Sequence, residues 1–138
     1  MPSLEHVTTF RVRYSETDQM GAYYNSRPLE WFEWGRSELM RAAGLPYTEI
    51  EARGLRLPLI EAHLEYRGKA RYDDELRMTS RVALCGKARV RFDVAIVHAG
   101  SGAAVVHGYT IHAVVNQAGK PVRAPQWLLD RFPVGQAF

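Results

Sequence analysis

At 138 residues, with 46% hydrophobic and 24% charged residues, the chain has the size and composition of one globular domain, expected to span 1–138. No apolar run approaches the roughly 20 residues that cross a bilayer, and Met1 to His6 lack the basic and apolar regions of a secretory leader, so a cytoplasmic protein without membrane attachment is expected. The lone Cys85 excludes an internal disulfide framework, and a net charge of +3, from 18 basic and 15 acidic residues, is too small to demand a nucleic-acid partner.

In chain order, residues 8–15 alternate, with Phe10, Val12 and Tyr14 on one side, and predict a first strand. Glu16 to Gly21 is polar and reads as a loop. Ser26 is a good helix cap, Pro28 falls in the first turn where its missing N–H costs nothing, and Leu29, Phe32, Arg36, Leu39, Met40 and Ala43 recur at helical spacing. A helix over 26–43 follows, stopped at Gly44-Leu45-Pro46. After a helical turn at 47–53, strand-like runs are predicted at 57–67, 75–84, 88–98 and 103–116, separated by turn signals such as Cys85-Gly86-Lys87 and Ala99-Gly100-Ser101-Gly102. Residues 126–132 suit a short terminal helix. These elements predict an α+β fold in which a curved antiparallel sheet, built as a meander, buries its apolar face on one long helix.

The segment Arg13-Tyr14-Ser15-Glu16-Thr17-Asp18-Gln19-Met20-Gly21-Ala22-Tyr23-Tyr24-Asn25, followed by an aromatic-rich helix start, resembles the signature of the hotdog-fold acyl-CoA thioesterases of the 4-hydroxybenzoyl-CoA thioesterase family. Leu64 to Leu76 looks like that family's strand-turn-strand segment, and the element order is similar over nearly the whole chain. The resemblance implies a hotdog fold, hydrolysis of an acyl-CoA to free acid and coenzyme A, and no metal or redox cofactor, coenzyme A being part of the substrate. It places the catalytic carboxylate on Asp18, the loop glycine on Gly21 and the carbonyl-polarising backbone amide on Asn25. Asn25 stands where many relatives carry His, and Pro28 where they carry Tyr.

The residues themselves suit that chemistry. Thioester hydrolysis needs a carboxylate nucleophile or a base for water, plus donors for the negative charge that develops on the carbonyl oxygen. Asp18 supplies the first in either role. The helix start after it offers unpaired N–H groups and the positive end of a dipole, and Gly21 is read as letting the loop approach that helix closely. Tyr24 and Trp31, with Tyr23, Phe32 and Trp34, are candidates for an acyl pocket or simply for core packing. Glu30 and Glu33 read as a surface pair. Lys87, Arg89 and Arg123 are candidate phosphate-binding bases for the coenzyme A nucleotide, Lys87 by resemblance and Arg89 because it lies two residues on, on the same strand face.

His6, His63, His98, His107 and His112 form no helical His-x-x-x-His pair, so no metal site is read, and no Gly-x-Ser-x-Gly context marks a serine hydrolase. From Arg67 to Arg91 eight bases stand against three acids, suggesting a positive face. That stretch, interleaved with Tyr66, Tyr72 and Phe92, supports the rival reading of a basic β-rich nucleic-acid binder. A catalytically silent hotdog that only binds acyl-CoA is a third reading. One curved sheet with two free edges and one helix predicts at least a homodimer, and hotdog relatives pair further into homotetramers.

Overall fold

The computed structural model describes residues 4–133. It contains β1 (Leu4–Arg11), α1 (Arg27–Ala42), α2 (Tyr47–Ala52), β2 (Leu55–Arg56), β3 (Leu59–Tyr66), β4 (Glu75–Leu84), β5 (Arg89–His98), β6 (Ala104–Ala113), β7 (Val115–Asn116) and α3 (Gln126–Leu129). Five strands form an antiparallel sheet in the order β1-β4-β5-β6-β3, and β2 and β7 pair separately. The α+β arrangement of a sheet wrapped on one long helix agrees with the sequence reading.

Strict alternation explains the middle of the sheet. Leu76, Met78, Val82 and Leu84 on β4 face the helix beside Val90, Phe92, Val94 and Ile96 on β5, all buried. β4, β5 and β6 are the expected meander. The run at 57–67 departs from it: Pro58, with no N–H to give a ladder, separates β2 from β3, and β3 pairs with β6, at the far side of the sheet from β1. Residues 67–74 therefore cross the end of the sheet, with the Arg67 and Gly68 N–H groups on Val105 O at 2.8 and 3.0 Å. This crossing becomes one wall of the candidate site.

β1 begins and ends about four residues earlier than alternation suggests. The Glu16 carboxylate captures the Arg13 N–H and coils Tyr14–Glu16 into a 3-10 turn, so Val12 stays buried while Tyr14 is 77% exposed.

On α1 the buried stripe is Pro28, Trp31, Phe32, Gly35, Leu39 and Met40; Leu29, expected on it, lies outside and is exposed. Ser26 occupies the cap position without a side-chain cap bond. Gly35 sits where α1 crosses the sheet, and a Cβ there would lie 2.5 Å from Ser80 Oγ, so its lack of a side chain sets the helix–sheet distance. Apolar clusters fill both sides of this crossing, one around Trp31, Phe32 and Leu76, the other around Leu39, Phe92 and Phe132.

Candidate active site

One buried carboxylate holds the loop between β1 and α1. Glu16, 2% exposed, accepts the Arg13 backbone N–H and the Trp31 indole N–H, each at 2.7 Å, and the Arg13 guanidinium at 3.2 Å. Burial alone would raise its pKa, but these donors outweigh burial and hold the carboxyl below its ordinary value. Its backbone carbonyl also receives the Tyr24 N–H at 2.8 Å. Glu16→Gln is therefore expected to lower the unfolding free energy by about 1–3 kcal/mol at neutral pH. Because the folded pKa is depressed, this stabilisation is present above the unfolded carboxyl's value, 4.5, and is lost as pH falls through the folded value. Urea titrations of both proteins from neutral to acidic pH should show the difference closing on the acid side.

Within the loop, Thr17 bridges Tyr23, and Asp18 opens a tight turn. The Asp18 N–H donates to Ala22 O and its carbonyl accepts the Gly21 N–H, both at 3.0 Å, while its carboxylate Oδ1 accepts the Met20 N–H at 2.8 Å. Asp18 Oδ2 has no hydrogen bond to any described residue. Gly21 has φ +79°, and a Cβ there would meet nothing within 4 Å. Its part is thus the left-handed turn that presents Asp18, which corrects the close approach to the helix expected from sequence.

Asp18 and Asn25 line one cavity of 380 Å³, together with Tyr23, Tyr66, Gly68 and Lys69. Tyr66, at the end of β3, donates its hydroxyl to Asn25 O and so ties the start of α1 to the sheet. The Tyr23 hydroxyl donates to Gly68 O at 3.0 Å, and its ring stacks on Tyr66 with centroids 6.4 Å apart. Burial, and then the neighbouring Tyr66, push the Tyr23 pKa up, keeping that hydroxyl a donor. The Arg27 N–H is spent on Tyr24 O at 3.0 Å, whereas the Asn25 N–H has no acceptor among the described residues. The cavity thus combines a carboxylate oxygen free to take a proton or attack carbon with a spare backbone donor at the positive end of a 16-residue helix.

Residues 12–132 match the thioesterase-like superfamily. The chain belongs to that superfamily. An Aquifex aeolicus (strain VF5) protein bearing the name "Putative esterase" is 31% identical over 120 residues, 87% of this chain and 91% of its own. Among solved structures, a hypothetical protein from Thermus thermophilus superposes with a TM-score of 0.83 at 31% identity, over 92% of this chain and 94% of its own. The 1,4-dihydroxy-2-naphthoyl-CoA thioesterase from Synechocystis gives 0.84 at 20% identity, over 91% and 93%, a likeness of fold. The resemblance read from Arg13–Asn25 and Leu64–Leu76 thus holds at the level of the family.

In this member of the thioesterase-like superfamily the other sequence-predicted residues lie elsewhere. Tyr24 is half exposed and does not line the Asp18 cavity. Trp31 is 1% exposed, packed between Phe10 and Tyr23 with its N–H on Glu16, and serves as core. The aromatic wall is instead Tyr23 with Tyr66, and the sequence signal for Tyr66 was its place at the head of the Leu64–Leu76 segment.

Lys87 lies in the β4–β5 turn and Arg89 begins β5, and the Ala124 N–H on Lys87 O at 2.8 Å brings Arg123 beside them. All three are exposed. They stand at the opposite end of the sheet from Asp18, about 30 Å away along ten-residue strands. The bases between Arg67 and Arg91 do not form one positive face, because Arg67, Arg81 and Arg91 pair with Glu65, Glu5 and Asp93 and the rest divide between the two ends.

Proposed function

We propose that the chain hydrolyses an acyl-CoA thioester to a free acid and coenzyme A in the Asp18 cavity. The observation that carries this reading is that one cavity is lined by both Asp18, whose Oδ2 has no hydrogen bond among the described residues, and Asn25, whose N–H has no acceptor among them. Two routes use that pair. Asp18 attacks the carbonyl carbon, the C–S bond breaks to release the coenzyme A thiolate, and water then cleaves the acyl-aspartyl anhydride. Alternatively Asp18 takes a proton from water as the water oxygen attacks, and the thiolate leaves and is protonated. In both, negative charge develops on the carbonyl oxygen, where the Asn25 N–H and the helix dipole stabilise it most in the transition state. Met20 N–H fixes one carboxylate oxygen and leaves the other to react.

The test is free-thiol release from a panel of aromatic and aliphatic acyl-CoAs. Hydrolysis of at least one is expected; binding without release would make the chain a silent acyl-CoA binder, and salt-sensitive binding of RNA or DNA alone would favour the nucleic-acid reading.

The coenzyme A phosphates are assigned to Lys87 and Arg89, with Arg123 beside them. At about 30 Å from Asp18 along the same sheet, these bases serve the reaction through a second copy, and β3 offers the edge for it: Leu59, Ile60 and Tyr66 are exposed on a strand that, among the described residues, is paired on one side only. The reading therefore takes the working assembly as a homodimer or homotetramer, and takes its location as cytoplasmic. Among the described residues no helix is long and apolar enough to cross a membrane. Lys87→Ala with Arg89→Ala is expected to raise KM for an acyl-CoA several-fold with little change in kcat, because remote contacts hold ground and transition state alike. The effect should vanish for an acyl-pantetheine thioester, which has no nucleotide phosphates; equal losses on both substrates would remove these bases from nucleotide binding.

A further inference from the structure

A second cavity, of 280 Å³, lies between α1, α2 and the sheet, and the reaction chemistry above leaves it unexplained. Arg36 enters it from α1. Its side chain is 17% exposed, and among the described residues its one carboxylate partner is Glu33 at 3.9 Å, itself largely in solvent, and it makes no hydrogen bond. Burial presses the guanidinium pKa below its ordinary value, against the pull of Glu33 and Tyr47. A largely desolvated cation whose recorded carboxylate partner stands 3.9 Å away in solvent is costly, and an anion placed beside it offsets that cost.

The surroundings suit an organic anion. The Tyr47 hydroxyl accepts the Leu57 N–H at 3.1 Å, which leaves its own proton to donate. His112, 2% exposed, is a neutral wall. Its Nδ1 meets Leu57 O at 3.0 Å, and since a carbonyl only accepts, Nδ1 carries the proton and Nε2 accepts the Thr110 hydroxyl at 3.0 Å. Burial holds its pKa at about 4, so it brings no second charge at neutral pH. Met40, Leu57 and Phe92 supply apolar surface for a hydrocarbon portion.

The geometry of β3 connects this cavity to the reacting centre. Along β3 the Leu59 end lies beside His112 and the Tyr66 end beside the Asp18 cavity. Two copies joined antiparallel through their β3 edges about a two-fold axis set the Tyr66 end of one against the Leu59 end of the other. We infer that the Arg36 cavity receives a carboxylate at the far end of the acyl group, whose thioester lies at Asp18 of the second copy. The favoured substrates are then acyl-CoAs bearing a terminal carboxylate. This inference rests on the thioesterase reading and on pairing through β3.

Two matched substrate pairs test it, adipoyl-CoA against hexanoyl-CoA and 4-carboxybenzoyl-CoA against benzoyl-CoA, each differing in the terminal carboxylate. For at least one pair the wild-type chain should favour the carboxylate in kcat/KM, and Arg36→Met should reduce that substrate roughly tenfold to a hundredfold, the range for a hydrogen bond to a charged group, while sparing its uncharged partner. Arg36→Lys should restore part of the loss. No preference in either pair, or an equal loss on both members in Arg36→Met, would overturn the inference. If no thioester is cleaved, the Asp18 reading fails, and calorimetry with adipate decides the pocket. Binding lost in Arg36→Met would support the pocket, and no binding by the wild-type chain would reject it.

Discussion

Asp18→Asn is expected to lower kcat for acyl-CoA hydrolysis by at least about a hundredfold while the chain keeps its fold, as befits the loss of a nucleophile or base. The substitution is close to isosteric. Its amide oxygen can still accept the Met20 N–H that Oδ1 holds at 2.8 Å, so the turn through Gly21 is retained. What disappears is the negative charge of Asp18, the one carboxylate among the described residues that line the cavity. Steady-state kinetics with circular dichroism on the same samples measures both parts of the expectation. Near-normal turnover in a folded variant would remove Asp18 from the chemistry.

The largest stability effect is expected at Gly108. A Cβ there would stand 1.9 Å from His63 O and 3.0 Å from Leu64 Cα, both backbone atoms of β3 that cannot rotate away. Gly108→Ala therefore forces β6 and β3 apart, and about 3 kcal/mol, the upper end of overpacking costs, is the expected loss in urea unfolding. Activity should fall as well, since β3 carries Tyr66, whose hydroxyl fixes Asn25 at the start of α1. A variant as stable as the wild type would show that β3 is not held to β6 at this distance.

How far the sequence revealed the molecule depended on the range of the forces involved. β4 was legible to the residue, since its alternation and flanking turns are local, and α1 was legible through Pro28 and Gly44. The displacement of β1 was not, because it depends on a buried Glu16 whose indole partner is 15 residues away. Nor was the pairing of β3 with β6, since antiparallel runs of similar length are compatible with several strand orders and the choice rests on long-range packing. At the candidate site, Asp18 and Asn25 belong to a single contiguous motif, and the fold brings both to one cavity. Tyr66 was harder to assign, because its hydroxyl reaches Asn25 across 41 residues. Arg36 looked like one position of an amphipathic stripe, and only the packing of α2 and Leu57 around it discloses a cavity.

The most direct measurement of where the reaction occurs is the amide spectrum of the Asp18→Asn chain loaded with an intact acyl-CoA that the wild type hydrolyses. With turnover suppressed, the thioester carbonyl should accept the Asn25 N–H, moving that amide proton downfield and slowing its exchange with solvent. An Asn25 resonance unchanged at saturation, with shifts confined to other parts of the chain, would contradict a reacting carbonyl held between Asp18 and the start of α1.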